Sequence, residues 1–352
     1  MNIKEAINKV VKGNDLTLEE AKEVMRIMLG GEATQAQLGS FLTALRMKGE
    51  TIDEIVGCAT VMQELAEHVK PNTSVNYIDL VGTGGDGANT FNISTTSAFV
   101  AAGAGVPIAK HGNRAISSKS GAADVLEALG INIMLEANDV EKCIEEVGMG
   151  FMFAQIFNKA MKNVGQARKD MGIRTIFNIL GPVSNPSNAK GAVIGVYSPT
   201  LTEPLAKAML AMGVERGIVA CGNGSMDEIT NTGVTRISEI KNGTVETYDI
   251  KPEDFGIDTA KTEDIVGGDC TTNAQYTKDI LNGVKGPKRD IVLLNAGAAI
   301  YGQAPVVAAP FSRSASFPPA SALQGFPAWR HRRQNRLRPV PPGKKSRTAG
   351  RQ

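Results

Sequence analysis

Apolar positions in the first seventy residues recur at helical spacing. Leu38, Phe41, Leu42 and Leu45 share one face of a segment that follows Thr34. Ile52, Ile55, Val56, Ala59 and Met62 do the same after Thr51. Thr17-Leu18-Glu19-Glu20 and Thr51-Ile52-Asp53-Glu54 each place a hydroxyl three residues ahead of a glutamate. In that pattern, side chain and backbone cap each other at a helix start, and the first instance predicts a helix through Leu29. Each helix is apolar on one side only and must bury that side, so residues 1–70 are expected to form a small helical domain.

After Pro71 the pattern changes. Residues 77–81 predict a strand, followed by a glycine-rich turn and a helix over 94–104. Residues 106–109 predict a second strand and 121–129 another helix. The apolar stretch 191–197, a helix over 201–212 and a strand over 217–221 continue the alternation. Strands alternating with helices imply an α/β domain with a mainly parallel central sheet, expected over residues 71–302. There is no internal repeat.

Charge sharpens this division. The 352 residues carry a formal net charge of +2, but residues 303–352 hold eight Arg, two Lys and no acid. That segment is +10 and the remaining chain −8. The segment also holds eight of the sixteen prolines, shows no periodicity and reads as an atypical, unstructured basic tail. A nucleic-acid-binding protein using this tail is one alternative, but an acidic body with one Trp and 5% aromatics lacks a base-stacking platform. The longest apolar run, residues 98–109, is too short to span a bilayer, and the N-terminus has no signal-peptide core. Cys58, Cys143, Cys221 and Cys270 are far apart and form no C-x-x-C pair, as expected of reduced thiols in a cytoplasmic protein.

The chemistry concentrates after the first predicted strand. Gly82-Thr83-Gly84-Gly85-Asp86-Gly87 leads into a helix, so backbone amides and the helix dipole can meet an anion there. A dinucleotide site needs an acidic residue about twenty positions on, yet residues 87–123 contain none and instead carry Lys110, His111, Arg114 and Lys119. The stretch suits a highly anionic ligand. Lys110 is expected just beyond the second strand, where open α/β sheets bind ligands. Asn92, Ser94, Thr95 and Thr96 offer groups for phosphate and ribose oxygens, and the Ser and Thr serve equally well as helix caps.

Six motifs occur in order: Gly82-Thr83-Gly84-Gly85-Asp86, Asn92-Ile93-Ser94-Thr95, Lys110-His111-Gly112-Asn113-Arg114, Arg168-Lys169, Gly181-Pro182-Val183-Ser184-Asn185-Pro186 and Asp227-Glu228. Together, over residues 1–301, they closely resemble the anthranilate phosphoribosyltransferase family of tryptophan biosynthesis. The resemblance implies transfer of a phosphoribosyl group from phosphoribosyl pyrophosphate to anthranilate, a Mg2+ requirement, and a homodimer formed through the helical domain. It also implies that residues 160–185 join that domain and that the active site lies between the two domains. Gly82, Gly85, Asp86 and Thr90 would line the ribose and pyrophosphate. Asn92, Ile93, Ser94 and Thr95 would contact phosphates, with Ser94 also touching Mg2+. Lys110, His111, Gly112, Asn113 and Arg114, continuing to Ser118, would hold the donor. Asp227 and Glu228 would coordinate the metal, and Asn113 and Arg168 would receive anthranilate. Lys110 and His111 are the candidates for a catalytic group; His111 could pack beside the acceptor amine or act on its proton.

A pyrimidine-nucleoside phosphorylase shares the implied fold and a similar Lys-His-Gly stretch, and is the nearer alternative. Asn113 and Ser117-Ser118-Lys119-Ser120-Gly121 look more like the transferase. The family continues past residues 295–298 with helical, acid-containing sequence, whereas this chain turns to Pro305, Pro310, Pro318 and Pro319. A shifted reading frame, or a wrongly assigned end of the coding sequence, near Gly302 is the expected cause.

Overall fold

Each of the first four helices begins at a side chain that satisfies the helix's own free amides. The computed structural model describes residues 1–115 and 119–303; the expectations for Ser118 and for the basic tail beyond Gln303 lie outside the described residues. Helices α1 (Ile3–Val11), α2 (Leu18–Gly30), α3 (Gln35–Lys48) and α4 (Ile52–Glu64) start at Asn2, Thr17, Thr34 and Thr51. In all four, a Glu or Gln three residues on returns a bond to the cap's own amide.

The α/β part then runs β1 (Ile78–Gly82), α5 (Ile93–Gly103), β2 (Ile108–Gly112), α6 (Ala122–Ala128), α7 (Ala137–Val147) and β3 (Met149–Phe153). A short α8 (Ala154–Phe157) leads to α9 (Lys162–Met171) and α10 (Phe177–Val183). The chain returns to the sheet through β4 (Gly191–Gly195), α11 (Thr202–Ala211), β5 (Arg216–Gly222), β6 (Thr235–Lys241) and β7 (Thr244–Ile250), and finishes with α12 (Cys270–Leu281) and α13 (Pro287–Gln303).

The seven strands lie in the order β3-β2-β1-β4-β5-β6-β7. The first five are parallel, and β6 and β7 form an antiparallel extension. Alternate residues of the central strands feed different cores. Val193 and Ile218 face the side covered by α5 and α13, whereas Ala192, Ile194 and Val219 face α11 and the helical bundle. Val164, Ala167, Phe177 and Leu180 of α9 and α10 lie in the same cluster as Met25, Phe41 and Leu42. The bundle and one sheet face therefore share a continuous apolar core.

Two features differ from the sequence expectations. Strand β2 is displaced towards its C-terminus, running to Gly112, so Lys110 lies within the strand rather than beyond it. Parallel pairing with β3, from Ile108 opposite Met149 to Gly112 opposite Phe153, carries the ladder through two polar residues that an apolar pattern does not mark. The hairpin β6–β7 was also unforeseen, because β7 is largely exposed along one edge and is rich in Thr and acids.

The last helix secures the turn that follows β5. Asn295 is 1% exposed; its Oδ1 accepts from the Ile229 amide at 3.0 Å and its Nδ2 donates to the Ile229 carbonyl at 2.8 Å. Asn295→Ala leaves both backbone groups buried without this partner and is expected to cost about 2–4 kcal/mol of stability. Chemical denaturation checks this; a loss below about 1 kcal/mol would contradict the clamp.

Candidate active site

Strand order reverses between β1 and β4, whose onward connections lead to opposite sides of the sheet. Such a switch point opens a crevice at the carboxyl ends of the strands. The loop after β1 turns there through Gly84 and Gly85, with φ of 71° and 69°, a left-handed conformation that glycine adopts without strain. Arg174, between α9 and α10, donates to the Gly85 carbonyl and lies 4.0 Å from the Tyr197 ring centroid. It thereby ties the glycine loop to the helical side of the crevice.

Asp227 and Glu228 sit directly over the strand ends because three glycines leave room for them. A Cβ on Gly82 would strike the Asp227 carboxylate, and one on Gly195 would overlap the Asp227 carbonyl. A Cβ on Gly222 would lie 2.8 Å from the Glu228 carbonyl. The Gly84 amide donates to Asp227 Oδ2 at 2.5 Å, and the Ser94 amide, at the start of α5, donates to Glu228 Oε1 at 3.1 Å. Asp86 accepts from the Ala88 amide at 3.0 Å and from the Asp227 amide at 3.3 Å. Burial raises the Asp227 carboxyl to about 7, with the charge of Asp86 adding to the effect. Burial and the Asp227 charge raise Glu228 well above the ordinary carboxylate range.

Lys110 faces this acidic pair from β2. Only 1% exposed, it donates from Nζ to the Leu80 carbonyl and, at 3.4 Å, to the Ser94 hydroxyl. Burial lowers its pKa, while Asp79, Glu228 and Asp227 oppose that shift. Burial, followed by the neighbouring Lys110 charge, pushes His111 down to about 4. Asn92 is held by Ser120 and Asn273: its Nδ2 donates to the Ser120 carbonyl at 3.1 Å, and its Oδ1 accepts from Asn273 Nδ2 at 3.0 Å. The Thr83 hydroxyl is buried with no partner among the described residues.

These groups enclose a cleft of about 320 Å³. Its lining includes Gly82, Gly85, Asp86, Thr90, Asn92, Ile93, Ser94, Thr95, Lys110, His111, Gly112, Asn113, Arg114, Asp227 and Glu228. Arg168 is not in that lining: its guanidinium lies 5.2 Å from the ring centroid of Phe177, one residue before the cleft residue Asn178. The Ile93 side chain is part of the core, so its contribution to the cleft is backbone. Arg114 is committed to α6, pairing with Asp124 at 3.0 Å and with Glu127, which leaves Lys110 as the buried cation of the cleft. Asn92 makes no helix-cap bond with its side chain, which instead braces the cleft wall. Sequence reasoning gave Thr83 no role of its own within the glycine motif, and did not find Gly195, Arg174 or Asn178. Gly195 lies inside the apolar stretch 191–197, and that was the one local signal available.

The carboxylates suit a hard cation. Asp227 and Glu228 are adjacent, buried and held above their ordinary range, a cost that a divalent ion would relieve. Among the described residues no three His, Cys, Asp or Glu side chains form a full metal cage. An incomplete oxygen set is what Mg2+ takes when ligand phosphates and water supply the remainder.

Over residues 4–66 the chain matches the helical bundle domain of the glycosyl transferase family, and over 74–308 its a/b domain. The anthranilate phosphoribosyltransferase of Acetivibrio thermocellus is 56% identical over 299 residues, covering 85% of this chain and 86% of that protein. The Clostridium kluyveri enzyme of that name is 52% identical over 299 residues, covering 85% and 89%. The anthranilate phosphoribosyltransferase structure from Thermus thermophilus has a TM-score of 0.80 and 42% identity, covering 85% of this chain and 89% of that one. The Saccharomyces cerevisiae enzyme in complex with PRPP and Mg has a TM-score of 0.77 and 28% identity, covering 84% and 86%.

Fold and cleft together define a two-domain glycosyl transferase. Within that class the chain belongs to the anthranilate phosphoribosyltransferase family, and the phosphorylase and nucleic-acid alternatives lose their support. No described helix is long and apolar enough to cross a membrane.

The seat of Asp227 yields a direct test. Gly195→Ala forces the Asp227 backbone off the strand ends and is expected to lower turnover by about 100-fold or more, the scale of losing a preorganised electrostatic group. Near-native circular dichroism with lost activity is the expected result; near-native activity would contradict the close approach.

Proposed function

We propose that this chain transfers the phosphoribosyl group of phosphoribosyl pyrophosphate to the amine of anthranilate, releasing pyrophosphate. The observation that carries the reading is the buried Asp227–Glu228 pair facing Lys110 across a glycine loop and a helix N-terminus. That arrangement suits a polyanion accompanied by a divalent cation, and the family supplies the reaction.

Asp227 and Glu228, with the Ser94 hydroxyl, would hold Mg2+, which when bound neutralises charge on the departing pyrophosphate. Lys110 places fixed positive charge beside the donor, and the amides of the glycine loop and of the α5 start offer donors to phosphate oxygens. In the reaction, the anthranilate nitrogen bonds to ribose C1 as the C1–oxygen bond to pyrophosphate breaks, and the amine proton passes to the departing pyrophosphate or to water. The acceptor amine is already a neutral nucleophile near pH 7, so the protein's main task is positioning. Arg168 is assigned to the anthranilate carboxylate, for which a planar guanidinium offers two-point recognition. Asn113 and the backbone near Gly82 complete that side. Residues 160–185 belong with the helical domain in this reading.

Dimerisation through the helical bundle is part of the same proposal. Val11 and Met47, 67% and 83% exposed in α1 and α3, lie on two helices that pack together. A cytoplasmic location fits a biosynthetic enzyme of this kind.

Loss of anthranilate fluorescence on adding phosphoribosyl pyrophosphate and Mg2+ to the full chain is the assay. Dependence on both additions is expected; no consumption would overturn the reading. Lys110→Ala, and Asp227→Ala with Glu228→Ala, should lower kcat/KM about 100-fold or more, and His111→Ala much less. Arg168→Ala should raise the KM for anthranilate about tenfold or more while leaving that for the donor nearly unchanged. An unaltered anthranilate KM would remove Arg168 from the acceptor site.

A further inference from the structure

His111 lies in the cleft wall, yet its Nε2 is engaged by the protein, 2.9 Å from Asn158 Nδ2. The ring is 6% exposed and Asn158 is equally buried at 6%. Asn158 follows α8, so β2 and the α8–α9 connection meet at this imidazole.

The donor and acceptor roles follow from valence. A neutral imidazole has one N–H and one lone-pair nitrogen. An amide nitrogen can only donate, so with Asn158 Nδ2 at Nε2 that ring nitrogen is the acceptor. The N–H is then on Nδ1. We propose that Asn158 is a positioning residue that locks His111 as the neutral Nδ1–H tautomer, with Nε2 occupied, so that His111 serves the acceptor site as a fixed neutral plate and not as a general base.

This deepens the transferase reading and rests on it for its catalytic meaning. A base must present a free lone pair to the acceptor amine. Here that lone pair is already bonded, and what the ring offers the cleft is its carbon framework, suited to packing against a planar aromatic acceptor. Neutrality matters because Lys110 precedes His111 in β2, and a second cation there would repel it. Asp79 of β1, whose Oδ1 is 3.4 Å from the His111 backbone amide, is the other ionisable group at this point. The low imidazole pKa is consistent with the geometry.

The chain contains only three histidines, so ring-15N NMR of the full-length protein can resolve them, with single His→Gln variants giving the assignments. His111 is expected to show a protonated Nδ1 and an unprotonated Nε2 that stay unchanged from pH 8 to pH 5. An Nε2–H tautomer, or titration near 6.5, would overturn the proposal. Asn158→Asp replaces a donor with an acceptor at the same place. It should raise the His111 pKa by about one unit or more and introduce an acidic loss of kcat that recovers at higher pH. Asn158→Leu, which offers neither, should give mixed tautomers without that acidic limb. An unshifted His111 in folded Asn158→Asp would likewise refute the assignment. The NMR readings need no substrate, so they can fail while anthranilate consumption stands, and the reverse.

Discussion

The cleft depends on one close approach, the Asp227 backbone lying against the glycine ends of β1 and β4. Any side chain at Gly195 would occupy the space of the Asp227 carbonyl, and one at Gly82 that of its carboxylate. With Gly222 open below Glu228, two adjacent carboxylates can enter the crevice at the switch point of the sheet. Asn295 of α13 then fixes the following residue through both its amide and its carbonyl. The geometry of the site thus rests on backbone packing, which holds groups more rigidly than a mobile loop could.

That seat creates an electrostatic conflict. Asp227 and Glu228 are buried together, with Asp86 near, and their repulsion is offset only in part by Lys110 and by the amides of Gly84 and Ser94. Those amides lie where a phosphate would also bind, at a glycine loop and a helix start. In the proposed reaction, Asp227 and Glu228 would hold the cation, and the amides of Gly84 and Ser94 would offer donors to phosphate oxygens. The −8 body and the cationic pocket are compatible because the positive charge is a single buried lysine aimed at one place.

Much of this was legible in the residues. The four N-terminal helices carried their caps in plain view, and the glycine loop with its acid-free continuation marked an anion site. Asp227 and Glu228 were recognisable by motif, but their raised pKa values were not, because burial and mutual repulsion arise only when β1, β4 and β5 meet. Lys110 was expected beyond its strand because polar residues interrupt the apolar pattern; the pairing of β2 with β3 overrides that pattern. Arg114 counted as a cation of the donor site until α6 supplied Asp124 and Glu127 to neutralise it. Asn158 carried no signal at all. Its role depends on its distance to His111, forty-seven residues away in sequence.

The chemistry proposed for the cleft turns on two buried carboxylates raised above their ordinary range, Asp227 to about 7, which a cation would hold in the charged form. Calorimetry of Mg–phosphoribosyl pyrophosphate binding, in buffers of different ionisation heat, tests this directly. A carboxyl raised to about 7 is largely protonated below that pH and must ionise to hold a cation. Binding should therefore release protons beyond those released by the metal–donor complex alone. The release should fall, and affinity should rise, as pH increases through about 7. The excess should also disappear in Asp227→Asn with Glu228→Gln. Binding with no excess proton release anywhere between about pH 6 and pH 8.5 would contradict the raised pair.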